Sequence, residues 1–201
     1  MHEIPAFHPT GHGSSVQLSD GNCLATRCPA SVSNAVVFSS RPLVVNQKIR
    51  LELVTTDDWS VAGTLRIGLT CVDPGGLTEA DLPEYAFPDL AERRDFWVRT
   101  VDKYLGDRVP RCVTLCLTSE GTLMFGPDRE TKVVLLRNLP VDKQVWLLVD
   151  VYGRTTGVRI VPPGLYHTST YMYINLWERN EAVHKCTSRS KGRGYRRYDN
   201  L

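Results

Sequence analysis

Few residues of this chain have the type and spacing that catalysis or metal binding requires. His8 and His12 lie four residues apart, but Pro9 and Gly11 oppose the helix that would present both imidazoles to one metal ion. We interpret them as turn histidines that pack on, or hydrogen-bond to, the first strand. The sequence has no Gly-x-Ser-x-Gly elbow, no phosphate-binding glycine loop and no close carboxylate pair at a strand end. It therefore predicts neither an enzyme nor a cofactor or metal site.

The cysteines do not have the spacing of a metal site either. No two form a Cys-x-x-Cys pair and no four lie close together, which disfavours structural zinc. Cys112 and Cys116 fall in a predicted strand, where even spacing places both on one face. The pattern favours free thiols of an intracellular protein. The six positions are Cys23, Cys28, Cys71, Cys112, Cys116 and Cys186.

The sequence also shows no targeting or membrane-spanning pattern. Residues 1–13 hold no basic region followed by an apolar run, so they predict no signal peptide. No apolar segment approaches the ~20 residues that cross a bilayer as a helix. We therefore expect a cytoplasmic protein.

Charge is distributed unevenly along the chain. The formal net charge of +2 is too small by itself to indicate a nucleic-acid partner. Residues 162–201 nevertheless hold seven Lys or Arg against three acids, with Tyr195 and Tyr198 among the basic residues. Such a segment adds electrostatic affinity for an anionic membrane or for RNA. The alternative is a solvated, largely disordered terminus, with a weak helical pattern in residues 174–185.

Two apolar stretches organise the rest of the sequence. In residues 59–70, apolar side chains alternate with Thr64, Arg66 and Gly68, which predicts a strand with one apolar face. Residues 146–153 are almost continuously apolar, as in a strand that is covered on both faces. Neither stretch contains a catalytic group.

Short strands and turns account for most of the remaining chain. Asp20-Gly21 lies between two apolar pairs, which is a hairpin signal. Residues 48–54 alternate apolar and charged side chains, and residues 77–95 predict a long loop with a short helical turn. About eleven short strands with almost no helix indicate an all-β fold, an antiparallel β-sandwich.

The order of motifs along residues 7–162 resembles a Neuralized homology repeat, a domain named for a ubiquitin ligase of the Notch pathway. The matching motifs are Phe7–Gly13, Ala25–Arg27, Val37–Pro42, Trp59, Gly63, Leu65–Thr70, Asp73-Pro74, Leu82–Ala86, Pro88–Leu90, Phe96–Val98, Trp146, Asp150–Gly153, Thr156 and Ile160. The resemblance implies a lead-in of residues 1–6 before the repeat. A basic, tyrosine-containing tail, residues 163–201, follows it.

The resemblance implies a SPRY-like β-sandwich that binds a segment of another protein. In the ligases of this family the repeat selects the substrate, while a RING domain or SOCS box recruits the ubiquitin machinery. Neither is evident here, so we expect an adaptor or truncated isoform that acts as the substrate-recognition arm of a ubiquitin-ligase pathway. The expected partner is an extended segment of a receptor ligand or other substrate. The alternatives are a membrane- or RNA-tethered module that acts through the tail, and a carbohydrate-binding sandwich.

Candidate partner-binding residues lie in or beside the matched motifs. Trp59 follows a polar loop tip, where an aromatic side chain is a candidate hot spot. Arginine forks suit a carboxylate or carbonyl of a bound peptide, although solvated or ion-paired arginines on strand faces are the alternative. We expect Gly68 to permit close packing, Trp146 to lie in the core, and Asp150 to be buried and held by loop amides. The candidates are Arg27, Arg41, Trp59, Arg66, Gly68, Trp97 and Tyr152.

Overall fold

A computed structural model of the chain describes residues 6–56, 63–105, 110–127 and 132–161. The strands in these ranges are β1 Phe7–His12, β2 Val16–Ser19, β3 Leu24–Arg27, β4 Val36–Ser39, β5 Lys48–Thr55, β6 Arg66–Thr70, β7 Phe96–Thr100, β8 Cys112–Leu117, β9 Leu123–Pro127, β10 Val133–Leu136, β11 Trp146–Asp150 and β12 Thr155–Val161. The helical elements are α1, Asp102–Leu105, and the 3₁₀ turns Pro74–Gly76 and Glu79–Asp81. None of these helices has the length and apolar character to cross a bilayer.

The strands form two antiparallel sheets. One sheet has five strands in the order β1-β4-β11-β6-β7, and the other has seven in the order β10-β9-β8-β5-β12-β3-β2. The main apolar core contains residues of both sheets, among them Ile67, Leu69, Leu147 and Val149 of the first and Leu51, Leu115, Phe125 and Ile160 of the second. The predicted all-β antiparallel sandwich is therefore confirmed.

Strand β5 shows how the sequence places this core. Leu51 and Leu53 are buried in it, whereas Lys48 on the opposite face is exposed. On that same outer face Glu52 accepts a hydrogen bond from Arg111 at 3.0 Å. Because successive side chains of a strand point to opposite faces, the alternating sequence gives one apolar and one wet face.

The central strands of the five-stranded sheet are buried on both faces. Every residue of β6 and β11 is buried, which confirms the prediction for residues 146–150. For β6, however, the alternation does not produce a solvated face, because residues 72–91 fold over it. A second apolar cluster fills that space, and its buried members are Val36, Phe38, Ala86, Leu90, Phe96, Val98 and Leu148.

The hairpin predicted at Asp20-Gly21 joins β2 to β3. The two strands pair from Ser19 opposite Leu24 onwards. Asp20 and Gly21 have positive φ angles of 51° and 62°, a conformation that Asp tolerates and Gly adopts freely. The prediction of this turn is confirmed.

The N-terminal residues form the edge strand β1, which pairs with β4. Nδ1 of His8 accepts the backbone N–H of Gly11 at 3.0 Å. Nδ1 of His12 lies 3.1 Å from the carbonyl oxygen of Gly13. Both histidines thus interact with the backbone of the first strand, as the sequence analysis expects.

The cysteines follow the prediction at some positions only. Cys112 and Cys116 both lie half-buried on β8, away from the main core. Cys71 and Cys116 are free thiols, and burial raises the pKa of the Cys71 thiol. Cys28 is disulfide-bonded, so the expectation of free thiols is wrong at that position.

Gly68 lies where the backbone of β7 closely approaches β6. A Cβ at this position would be 2.3 Å from the carbonyl oxygen of Trp97. Since the obstructing atom belongs to the backbone, no change of rotamer relieves the contact. This geometry agrees with the packing role inferred from the sequence.

We expect Gly68→Ala to lower the free energy of unfolding by about 1–3 kcal/mol, as overpacking does, because β7 must move away from β6. Urea unfolding of the full chain measures the loss. Gly76→Ala is the matched control, since nothing lies within 4 Å of a Cβ there. Equal unfolding midpoints for the two variants would contradict the packing role.

Candidate functional site

The buried charged residues of the described ranges lie together at one end of the sandwich. They are Arg27, Arg66 and Asp150, each at most 8% exposed. Arg66 begins β6 opposite Asp150, which ends β11, and Arg27 ends β3 of the other sheet. With Tyr85 and Tyr152, whose rings enclose Arg66, these residues form what we call the arginine cluster.

Arg66 and Asp150 form a buried ion pair. Nη1 of Arg66 donates to Oδ2 of Asp150 at 2.7 Å. The same oxygen accepts the backbone N–H of Ala86 at 3.1 Å, which fixes the chain around residue 86 over the sheet. Charges that leave water need such additional hydrogen bonds. Asp150 is thus buried and held by a loop amide, as expected, and it also binds Arg66.

Two tyrosine rings enclose the guanidinium group of Arg66. Its Cζ lies 3.7 Å from the ring centroid of Tyr152 and 5.4 Å from that of Tyr85, within the range of cation–π attraction. The ring centroids are 6.0 Å apart in an edge-to-face arrangement. Tyr152 packs on the backbone of Gly63, where φ is +80° and a Cβ would be 2.8 Å from the ring. Glycine is therefore required at position 63.

Arg27 joins two loops. Its Nη1 donates to the carbonyl oxygen of Ser31, and its Nη2 donates to that of Gly153 at 2.9 Å. Burial lowers the pKa of the Arg27 guanidinium, and the nearby carboxylate of Asp150 opposes this shift. The group stays charged, because arginine does not deprotonate in proteins. Arg27 is thus a charged clamp between the loop after β3 and the turn after β11.

Backbone hydrogen bonds tie further loops to this end. The N–H of Asn34 donates to the carbonyl of Glu84 at 2.8 Å. In the turn after β11, the carbonyl of Arg154 accepts the N–H of Thr56 at 2.9 Å, and the N–H of Arg154 donates to Gly63 at 3.0 Å. Loops held against a rigid frame in this way are where proteins commonly carry binding residues.

The structure brings together three of the residues predicted to bind a partner, namely Arg27, Arg66 and Tyr152. The two arginines are buried and not on wet strand faces, and Arg66 is ion-paired, which was one of the alternatives for these arginines. Both are buried because loops fold over the ends of β3 and β6. Their contacts in the described part of the chain are with the protein itself, so they position the loops of this end.

The other four candidates lie elsewhere. Arg41 is exposed after β4, and Trp97 is half-buried on β7 opposite Leu69. Both lie towards the opposite end of the five-stranded sheet, because Trp97 is three residues along β7 from the partner of Arg66 and Arg41 follows the end of β4 that is remote from Asp150. Gly68 packs inside the sheet. Trp59 lies outside the described residues, and its role in binding stays a prediction.

Neither the place of Tyr85 in the site nor the pairing of Arg66 with Asp150 is predicted from the sequence. Tyr85 lies in a stretch without strand periodicity, and the motif Leu82–Ala86 is the one signal that marks it. The ion pair joins positions 84 residues apart. Neither spacing nor periodicity reveals such a contact, because it depends on how the strands are ordered in the sheet.

Comparison with known proteins agrees with this geometry. The family model described as Neuralized matches residues 7–162. The chain is 30% identical over 161 residues to the protein neuralized of Drosophila virilis, and the matched region covers 80% of the chain and 21% of that protein. It is 31% identical over 169 residues to the human E3 ubiquitin-protein ligase NEURL1B, covering 84% of the chain and 30% of that protein. The chain therefore spans less than a third of the length of these relatives.

Solved structures support the same relationship. The crystal structure of the Drosophila melanogaster neuralized-NHR1 domain matches with a TM-score of 0.71 and 28% identity, covering 79% of this chain and 98% of that one. The SPRY domain of human HERC1 matches with a TM-score of 0.53 and 12% identity, over 80% of this chain and 99% of that one, which shows a common fold. From the family match and the shared architecture, the chain belongs to the Neuralized family.

Proposed function

We propose that this chain recognises a segment of another protein through the loops around the arginine cluster, as a binding domain and not as an enzyme. The observation that carries the proposal is the burial of Arg27, Arg66 and Asp150 in contact with those loops. Buried ion pairs contribute little net stability. The contacts of Arg27, Arg66 and Asp150 instead hold separate loops in one arrangement. Preorganised loops lose less conformational entropy when a ligand binds.

An extended peptide is the ligand that such a loop surface suits best. Backbone hydrogen bonds and one aromatic anchor supply affinity in this mode of recognition. Trp59 is the candidate anchor. The described residues nearest to it in the sequence, Thr56 and Gly63, both hydrogen-bond to Arg154 beside the arginine cluster.

The family relationship extends the proposal to ubiquitination. One relative is the human E3 ubiquitin-protein ligase NEURL1B. We infer that this chain selects the substrate in such a pathway, with a receptor ligand or another protein as the substrate and ubiquitin-ligase components as further partners.

Two predictions from the sequence remain separate from this proposal. Contact of residues 163–201 with an anionic membrane or RNA concerns a segment outside the described residues. If this contact occurs, binding to the membrane or RNA should weaken steeply as the salt concentration rises, and it should disappear when residues 185–201 are deleted. The cytoplasmic location also stays a prediction, which microscopy of the tagged full chain tests.

We expect Arg27→Lys to reduce protein capture by the full chain by about tenfold. A lysine ammonium lacks the fork that reaches both Ser31 and Gly153. Loss of one hydrogen bond from a charged group is worth about 1.5–3 kcal/mol. The ligand must then supply this free energy to order the released loop, and about 1.4 kcal/mol is tenfold in affinity. Affinity capture from cell lysate, quantified by mass spectrometry, measures the effect. Enrichment of a membrane receptor ligand or of ubiquitin-ligase components, reduced in the variant, supports the proposal.

Arg94→Lys is the matched control, because the side chain of Arg94 is 94% exposed and its neighbour Asp95 binds Thr70 at the opposite end of β6. It should capture as well as the wild type. Thermal unfolding by circular dichroism verifies that Arg27→Lys keeps its fold. Equal capture by the wild type and both variants would show that the arginine cluster does not organise the binding surface.

A further inference from the structure

We propose that the arginine cluster contains a binding subsite for a carboxylate group, on the edge of the Arg66 guanidinium that does not contact Asp150. This inference rests on the proposed function and specifies the chemical group that the bound segment presents. Three properties of the cluster support it: its charge, its remaining hydrogen-bond donors and its aromatic walls.

The buried charges of the cluster do not balance. Among the described residues, the buried charged side chains are the two cations Arg27 and Arg66 and the single anion Asp150. One positive charge is therefore withdrawn from water without a buried counter-charge, which is costly in a medium of low dielectric constant. A carboxylate that enters the cluster from a ligand would neutralise it.

The donors of Arg66 are arranged to receive that carboxylate. Nη1 binds Asp150 at 2.7 Å, while the buried Nε finds no acceptor. Nε and Nη2 point along one edge of the planar guanidinium, and Nη2 makes no hydrogen bond to a described residue. Two parallel N–H donors on one edge are the geometry that binds a carboxylate through both oxygens.

The aromatic walls hold this edge in place. The guanidinium lies 3.7 Å from the ring centroid of Tyr152 and 5.4 Å from that of Tyr85, so Asp150 and the rings together restrict its rotation. Tyr85 and Tyr152 are themselves only half-buried. A ligand group that reaches the buried Nε would therefore enter beside these rings.

Carboxylates of the protein near this site do not replace the ligand. Asp102 is exposed and accepts a hydrogen bond from Thr64 at 2.9 Å, and Glu84 is exposed beside Tyr85. Both are solvated, and solvated charges interact weakly with a partner. The buried Nε of Arg27 also has no acceptor. Both terminal nitrogens of Arg27 donate to backbone carbonyls, however, so no edge of this guanidinium keeps two unused donors.

The carboxylate can come from an Asp or Glu side chain or from the C-terminus of the bound chain, and a peptide library distinguishes the two. Purified full chain is screened against random twelve-residue peptides that are N-acetylated and carry either a C-terminal amide or a free carboxylate. Enrichment of Asp or Glu at one position of the amidated peptides identifies a side chain. Enrichment confined to the free-acid peptides identifies a chain terminus.

The enriched peptide is then compared with its neutral isostere. We expect Asp→Asn or Glu→Gln in the peptide, or amidation of a terminal carboxylate, to raise the dissociation constant about tenfold or more, which corresponds to the loss of one charge-assisted pair. Arg66→Lys should reduce the preference for the acidic peptide, because it keeps the charge and loses the fork. Arg94→Lys, at an arginine whose side chain is 94% exposed, should keep the full preference.

A measurement on the wild-type chain covers the case in which Arg66→Lys does not fold. The side-chain Nε–H signal of Arg66 in a nitrogen–proton NMR spectrum should shift when the acidic peptide is added, and not when the isostere is added. Enriched peptides without an acidic group, or acidic and neutral peptides of equal affinity, would overturn the carboxylate subsite and leave segment recognition intact. Absence of any bound peptide would overturn both proposals.

Discussion

We expect the replacement of Asp150 by Asn to lower the free energy of unfolding of the full chain by about 3–5 kcal/mol, the range for removing one partner of a buried ion pair. The substitution keeps the shape of the side chain and removes its charge. Arg66 and Arg27 then remain buried at one end of the sandwich without a counter-charge. Denaturant unfolding, followed by tryptophan fluorescence, measures the loss as a lower midpoint.

Asp20→Asn is the matched control for this prediction. Asp20 binds Arg159 at 2.6 Å, a distance close to that of the buried pair, but its side chain is 53% exposed against 2% for Asp150. We expect Asp20→Asn to lower the free energy of unfolding by less than about 1 kcal/mol, as for surface ion pairs. Similar losses in the two variants would show that burial does not determine the contribution of Asp150.

A double variant separates the cost of unpaired charge from the cost of altered packing. Arg66→Met combined with Asp150→Leu replaces the ion pair by apolar side chains, a change that is often neutral or stabilising in protein interiors. We therefore expect the double variant to be more stable than Asp150→Asn alone. It should still fail to prefer acidic peptides, since it lacks the Arg66 fork. Stability and recognition are thus distinguished in one protein.

Trp146→Ala is the second substitution with a large expected effect. Trp146 is 7% exposed and begins the central strand β11 opposite Thr70. Truncation of a buried tryptophan to alanine costs about 3–5 kcal/mol, because the cavity that remains is only partly filled by its neighbours. Urea unfolding of the full chain measures it.

Two other tryptophans provide comparisons for Trp146→Ala. Trp97 is half-buried on the edge strand β7, so Trp97→Ala should cost less. For Trp59→Ala we expect weaker capture of the protein partner with little change in melting temperature, the reverse of Trp146→Ala. If Trp59→Ala and Trp146→Ala unfold alike, the assignment of Trp59 to a binding loop is wrong.

Local patterns in the sequence determine much of the fold. The alternation in β5, the apolar run of β11 and the turn at Asp20-Gly21 each reflect interactions within a few residues. Such interactions can be recognised in a single sequence, because strand periodicity and turn chemistry depend on local backbone geometry. The order of motifs over residues 7–162 also carried the family resemblance that the family model confirms.

The candidate site is different, because tertiary structure determines it. From the sequence, Arg27, Arg66 and Tyr152 were separate candidates, and the alternative for the arginines was a solvated or ion-paired side chain on a strand face. Strand order brings the three residues together, and loops cover the arginines. Arg66 meets Asp150 across β6 and β11, and the loop that carries Tyr85 and Ala86 closes over the pair.

Sequence alone thus determined that this chain forms an antiparallel sandwich, because strand and turn patterns are local. The order of its motifs carried the resemblance to the Neuralized family. Only the tertiary structure decided which side chains become buried together, since burial depends on contacts between residues distant in the chain. The charge of an arginine is fixed by its chemistry. Whether that charge is solvated, paired with Asp150 or left to receive a ligand is fixed by what the fold places around it.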